Sequence, residues 1–328
     1  MKVLVTGGAG FIGSHLCRRL VADGHHVTAV DNEFNGSRET VPPDAKFVFA
    51  DVTDPSQVES AFATGFDAVC HLAGQVSIIR SFSDPVADLR TNVEGTLQML
   101  QLCQRYKVPR FIYASSMTAY GDAAPVPTPE TQPCLPNSYY GISKHAAERF
   151  VHTTAERSDL GFPFRATSLR MFSVFGPGQS VNNPYQGVLG IFIGKIMRGE
   201  PITIFGDGEQ TRDFVYIDDI VEGWVRALSY GGGMSDVFNL GSGRSLSINQ
   251  LAASAVAAFG LPPGGHPIGY QPARPGEQRA VRADITEARA RLRWEPRTTF
   301  EKGLAETVRH ARIEHDGSRQ GAVEGAPA

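Results

Sequence analysis

Residues 2–16, KVLVTGGAGFIGSHL, decide the fold. Lys2–Thr6 is a short apolar run, the signature of a buried strand. Gly7, Gly10 and Gly13 punctuate the turn that follows, and helically spaced apolar residues then continue to about Ala22. Without side chains at the three glycines, a pyrophosphate can reach backbone N–H groups and the positive end of the helix dipole. Gly24 closes the helix, and a second strand, His26–Val30, ends at Asp31. A carboxylate at that strand end accepts hydrogen bonds from an adenosine ribose and repels a 2′-phosphate. No arginine follows it in Asn32-Glu33-Phe34, so the pattern selects NAD over NADP.

Outward from this unit the alternation continues. Strands are predicted at 46–50, 67–71, 110–115 and 165–170, with helices at 55–63, 84–106 and from Asn137 or Ser138 to Glu156. Alternating strands and helices imply a doubly wound parallel sheet covered on both faces, an α/β Rossmann domain over 1–170. Beyond Met171 the rhythm changes to glycine- and proline-rich loops. A helix at 189–198, a strand at 202–205 and helices at 217–228, 247–259 and 300–312 are predicted there. Residues 171–314 are read as a smaller α/β substrate domain, some of whose segments return to the first sheet. The polar tail 315–328 is expected to be disordered.

Composition narrows the class. The 328 residues are 41% hydrophobic and 20% charged, with a net charge of −3. No basic excess calls for nucleic acid, and no apolar run reaches the ~20 residues of a membrane helix. The strand at the N-terminus argues against a signal peptide. Cys17, Cys70, Cys103 and Cys134 have no metal-ligand spacing, so no metal is expected and free thiols in a reducing cytoplasm are.

Tyr140 and Lys144 lie four apart on a predicted helix and share a face. A free tyrosine, with a pKa near 10, is a poor base at neutral pH. A nearby ammonium, and a nicotinium ring, would lower it, so that the phenolate takes a hydroxyl proton as hydride leaves the carbon. Ser115 and Ser116 end the strand 110–115, where ligands of a doubly wound sheet sit. A hydroxyl there can hold the substrate oxygen.

Together these residues resemble the extended short-chain dehydrogenase/reductase family, in its nucleotide-sugar epimerase and dehydratase branch. The resemblance rests on GGAGFIG at 7–13 with Asp31, on HLAG at 71–74, Asn92, Ser115-Ser116 and Tyr120-Gly121, and on YGISK at 140–144. It continues in RGEPITIFGDGEQTRDFVYIDD at 198–219 and ARPGE at 273–277. It implies a cofactor site of Gly7, Gly10, Phe11, Ile12, Gly13, Asp31, Asn32, Asp51, Val52, Leu72, Ala73, Gly74, Asn92, Ser115, Tyr140 and Lys144. Ser116, Tyr140 and Lys144 would be catalytic. Ser116, Ser173, Phe205, Arg212 and Arg274 would bind the substrate, the two arginines on its diphosphate and Ile204 and Phe205 near its base. The loop 181–186 would border the sugar, and a homodimer is implied through helices 84–106 and 137–156, with Val93, Leu97 and Leu100 as an apolar stripe.

Two departures bear on the reaction. The family's dehydratases carry acid/base residues directly after the serine, and its decarboxylases usually a glutamate; here Met117 and Thr118 stand, neither of which titrates near neutrality. Ser173 replaces an asparagine that helps to hold the diphosphate. These features imply a 4-epimerase acting on a UDP-, dTDP-, GDP- or ADP-linked sugar. A 4-ketoreductase uses the same residues, and a non-catalytic dinucleotide sensor is a third reading.

Overall fold

The computed structural model describes residues 1–122, 124–183, 187–274 and 276–324. Seven strands form one sheet: β1 (Lys2–Thr6), β2 (His26–Asp31), β3 (Lys46–Phe49), β4 (Ala68–His71), β5 (Arg110–Ser116), β6 (Arg165–Met171) and, from much later in the chain, Ser235–Leu240. Their spatial order is the Ser235–Leu240 strand, β6, β5, β4, β1, β2, β3, and every pairing is parallel. The order reverses between β1 and β4, the crevice where such sheets bind ligands.

Period-two alternation sends the strands' side chains into two cores. Val3, Val5, Ile112 and Ala114 face one core, with Leu16, Cys17 and Leu20 of α1 (Phe11–Ala22). Leu4, Phe111 and Tyr113 face the other, built with α2 (Pro55–Phe62) and with Met99, Leu100, Ala147 and Val151 from two later helices.

The helix predicted over 84–106 is present as one continuous helical run: α4 (Pro85–Leu89), a π-helical turn at Arg90–Glu94 and α5 (Gly95–Arg105). It is preceded by a separate short helix, α3 (Ile78–Ser83), that was not predicted. Pro85 cannot continue α3, and Asp84 caps the new start by accepting the Ala87 N–H. The next helix, α6 (Tyr139–Ala155), is capped by Ser138, whose Oγ accepts the Gly141 N–H at 3.1 Å.

Beyond Met171 short strands form separate two-stranded pairs. β7 (Ser173–Phe175) joins β10 (Phe214–Tyr216), β8 (Ile202–Phe205) joins β13 (Ile268–Gln271), and β9 (Thr211–Arg212) joins β12 (Leu246–Ser247). β11 (Ser235–Leu240) is the segment that returns to the main sheet. Helices α7 (Val188–Arg198), α8 (Ile217–Ser229), α9 (Ile248–Ala258) and α10 (Phe300–Glu324) complete the chain. The predicted disordered tail is corrected in part. No proline interrupts α10, and His310 and Glu314 lie within 3.6 Å one turn apart, so the helix runs past Arg312 to Glu324. Residues 325–328 lie outside the described residues.

Candidate active site

The C-terminal ends of β1, β2, β4 and β5 bring the predicted cofactor residues to one edge of the sheet. Gly7 has φ +68°, a left-handed conformation that glycine accepts readily. A Cβ on Gly13 would stand 2.0 Å from the Gly7 carbonyl oxygen, so α1 can meet the turn this closely only with glycine there. The helix starts at Phe11 and Ile12 with no side-chain cap and no acid in its first turn. Its free N–H groups suit a pyrophosphate. Asp31 accepts the Ala9 N–H at 3.0 Å and the Glu33 N–H at 2.8 Å. Asn32 donates to Asp51 at 2.9 Å, which links the two strand ends that would flank the adenosine. Val52 is buried beneath Gly95. Leu72, Ala73 and Gly74 follow β4, and Thr6 Oγ1 accepts the Ala73 N–H. These features fit NAD.

Tyr140 and Lys144 stand one turn apart on α6, as predicted. Lys144 is 5% exposed, and its Nζ lies 4.5 Å from the centre of the Tyr113 ring. Burial pulls its pKa down to about 8, against the opposing pull of the Asp88 and Glu148 carboxylates. Burial pushes the Tyr140 phenol up to about 12; the Ser116 hydroxyl works against that rise, and the Asp88 charge adds to it. Ser116 Oγ also receives the Thr118 N–H at 3.2 Å and the Thr118 hydroxyl at 2.9 Å.

Two predicted cofactor residues commit their side chains elsewhere. Ser115 donates its hydroxyl to Glu148 at 2.6 Å inside the core, so only its backbone is left for a ligand. Asn92, 1% exposed, spends its amide on Gln75, Asp88 and Ser143 and supports Gly74 from behind.

Phe205, Arg212 and Arg274 line one cleft together with Ile204, Gln210 and Glu277. The Arg274 guanidinium lies 3.5 Å over the Phe205 ring. Arg212 donates to the Gln278 carbonyl at 2.7 Å and to the Glu277 carboxylate at 3.1 Å. Ser173 lies on β7, outside the residues that line this cleft. In the sugar-bordering loop, Pro184, Tyr185 and Gln186 lie outside the described residues.

Sequence reasoning assigned no role to Asp88, Glu148, Gln210 or Glu277. The last two sit inside the motifs quoted above; the first two carry no local signal, because their partners are distant in sequence. Cys134, His145 and Glu148 form the one grouping of metal-type ligands among the described residues. Arg170 already holds both Glu148 oxygens, which opposes a second cation there.

A glycine turn, a strand-end aspartate and a Tyr-Lys helix at one sheet edge define a dinucleotide-dependent enzyme of the short-chain dehydrogenase/reductase type. The model of the NAD-dependent epimerase/dehydratase family matches residues 3–241, and the chain belongs to that family. NAD is its cofactor. The chain is 35% identical over 314 residues to a UDP-glucose 4-epimerase of Mycolicibacterium smegmatis, covering 94% of this chain and 97% of that one. It is 34% identical over 339 residues to UDP-glucuronic acid decarboxylase 1 of Xenopus tropicalis, covering 100% of this chain and 76% of that one. The crystal structure of the Thermotoga maritima UDP-glucose 4-epimerase with UDP-glucose superposes with a TM-score of 0.90 at 38% identity, over 96% of this chain and all of that one. The Thermus thermophilus UDP-glucose 4-epimerase complex with NAD gives 0.86 at 33%, over 95% and 99%.

Proposed function

We propose that the protein is a nucleotide-sugar 4-epimerase. Identity alone does not separate epimerases from decarboxylases among its relatives, and the residues after Ser116 carry the distinction. Met117 packs against the apolar core, and Thr118, 6% exposed, gives its hydroxyl proton to Ser116. Neither supplies the extra acid or base that dehydration uses, nor the glutamate usual in decarboxylases. The Tyr-Lys pair alone suffices for reversible oxidation at one carbon.

Bound NAD supplies hydride acceptance and return, with a positive ring charge that favours the phenolate. Ser116 holds the C4 oxygen, and Tyr140 takes its proton. Lys144, as the ammonium, stabilises the phenolate. Arg212 and Arg274 grip the diphosphate, since guanidinium forks match phosphate oxygens. The 4-keto sugar turns about that anchor, and Tyr140 returns the proton on the other face.

The test is NMR of UDP-, dTDP-, GDP- and ADP-sugars, glucuronate included, with purified enzyme and NAD. Interconversion of C4 epimers is expected, slowed by about 10²–10⁴ in Tyr140→Phe. A panel left unaltered sinks the proposal. Loss of carbon dioxide from the glucuronate makes the enzyme a decarboxylase, and stoichiometric loss of 340 nm absorbance with a keto sugar makes it a ketoreductase.

A homodimer in a reducing cytoplasm belongs to the same reading. Val86 and Leu89 on α4 and Ile142 and Phe150 on α6 are 44–59% exposed. Val93 and Leu97 continue the α4 stripe half-buried, whereas Leu100 belongs to the core. A second copy would cover this face. No helix among the described residues is long and apolar enough to cross a membrane.

A further inference from the structure

Beside the Tyr140–Lys144 pair lies a buried carboxylate that the proton transfer does not use. Asp88, on α4, is 1% exposed. Its Oδ2 accepts the Ser143 hydroxyl at 2.5 Å, and its Oδ1 accepts Gln75 Nε2 at 2.6 Å and Asn92 Nδ2 at 3.2 Å. The Ser143 oxygen also lies 3.0 Å from the Tyr140 carbonyl. A hydroxyl has one proton to give, and the shorter contact, to a charged acceptor, takes it. Asn92 in turn holds the turn after β4: its Oδ1 accepts the Gln75 N–H at 2.9 Å, and its amide reaches the Gln75 carbonyl at 3.2 Å. The neighbouring Gly74 faces Lys144, for a Cβ there would stand 3.8 Å from Nζ. One carboxylate thus joins the turn at 74–75, the π-helical turn and the catalytic helix. Single-turn π-helical insertions occur frequently at functional sites.

The charges around Lys144 divide unequally. His71 of β4, 0% exposed, is held neutral because burial pulls its pKa to about 3. Tyr113 of β5 is held neutral, since burial pushes its phenol well above the ordinary range. Tyr140 and Glu148 face Lys144 from α6 itself. Glu148 is already answered by the Arg170 guanidinium, which donates to both its oxygens. Burial raises the Asp88 pKa; its hydrogen-bond donors, all neutral, and the Lys144 ammonium, the cation that acts on it, oppose that rise. Its charge is therefore free to act on the ammonium.

We infer that Asp88 is a positioning residue for the reaction: it locks the catalytic helix against the Gly74 turn and is the fixed countercharge of the Lys144 ammonium. The inference rests on the proton-transfer role proposed for the pair. Its test includes a readout that needs no substrate. The chain has six lysines. With ¹³C at the lysine ε-carbons, the NAD-bound enzyme presents six signals, and Lys144→Arg identifies that of Lys144. In Asp88→Asn the Lys144 titration is expected to move down by about one pH unit or more. Turnover should fall about tenfold or more, with its alkaline limb displaced in the same direction. Asp88→Glu keeps the charge and should leave the titration near its original position. An Asp88→Asn titration equal to that of the unaltered protein overturns the inference, whatever the substrate is. If Asp88→Asn does not fold, Ser143→Ala decides: it keeps the charge and loses the link, so an unchanged turnover overturns the inference. An unaltered protein that turns over no sugar counts against the epimerase reading and leaves the titration result standing.

Discussion

Arg170 shows how much of the site's order is carried by single residues outside it. It is 5% exposed and answers Glu148, itself 2% exposed, while Ser115 donates to the same carboxylate. Burial acts to raise the Glu148 pKa, but the Arg170 guanidinium and the Ser115 hydroxyl overcome it and hold the carboxyl below its ordinary 4.5. Arg170→Ala leaves a buried charge without a partner and is expected to destabilise the fold by about 3–5 kcal/mol at pH 7, measured by urea unfolding. The sign of the pH dependence follows. The depressed pKa stabilises the unaltered protein above pH 4.5 and ceases to as the carboxyl protonates in acid. In the variant, burial raises the pKa instead, so the penalty is present at neutral pH and vanishes below 4.5. A difference between the two proteins that stays constant from pH 7 to pH 4 would refute this account. None of it was legible beforehand, since residues 115, 148 and 170 are joined only by the folded sheet. Tyr140, Lys144 and Asp31 were legible, because each owes its place to a helix spacing or a strand end that the sequence carries locally.

At the level of elements, the glycine turn and α1 behave as one unit. Gly13→Ala puts a methyl group 2.0 Å from the Gly7 carbonyl, so the turn or the helix must move. The expected outcome is loss of co-purifying NAD, read from the 260/280 nm absorbance ratio, at a stability cost of about 1–3 kcal/mol. Retention of a full complement of NAD would mean that the close approach is not what binds it. The segment 84–106 teaches a complementary lesson. Its apolar spacing fits a continuous helix, and Pro85 is tolerated at a first helical position. The π-helical turn at Arg90–Glu94 lies beside the tertiary bonds of Asp88 and Asn92, which periodicity does not encode. The strands β7, β9, β10 and β12 were missed for a related reason. At two or three residues each, they are too short to show alternation.

Across the whole molecule, parallel strands covered on both faces and a switch point beside β1 follow from the strand–helix rhythm alone. That some later segment returns to the sheet was expected, but not that β11 is that segment, because its position depends on everything folded between residues 171 and 235. The exposed apolar face of α4 and α6 yields the prediction that belongs to this scale. Light scattering after gel filtration should give twice the 35.4 kDa chain mass. Leu89→Lys with Ile142→Lys should give a single chain mass, since a charge buried on both sides of a two-fold contact is met twice. A monomer in the unaltered protein would remove the second copy as the cover of that face.

The ion pair between Arg212 and Glu277 carries one more implication. The cleft meets the cell's pool of small anions with its deeper cation already neutralised by a carboxylate. A lone inorganic phosphate must displace Glu277 and gains one guanidinium in exchange. On the proposed function, a diphosphate ester would instead meet both Arg212 and Arg274, which line one cleft with Phe205. Selectivity against the most abundant competing ligands would then need no steric gate: it would follow from the charge balance between Arg212 and Glu277.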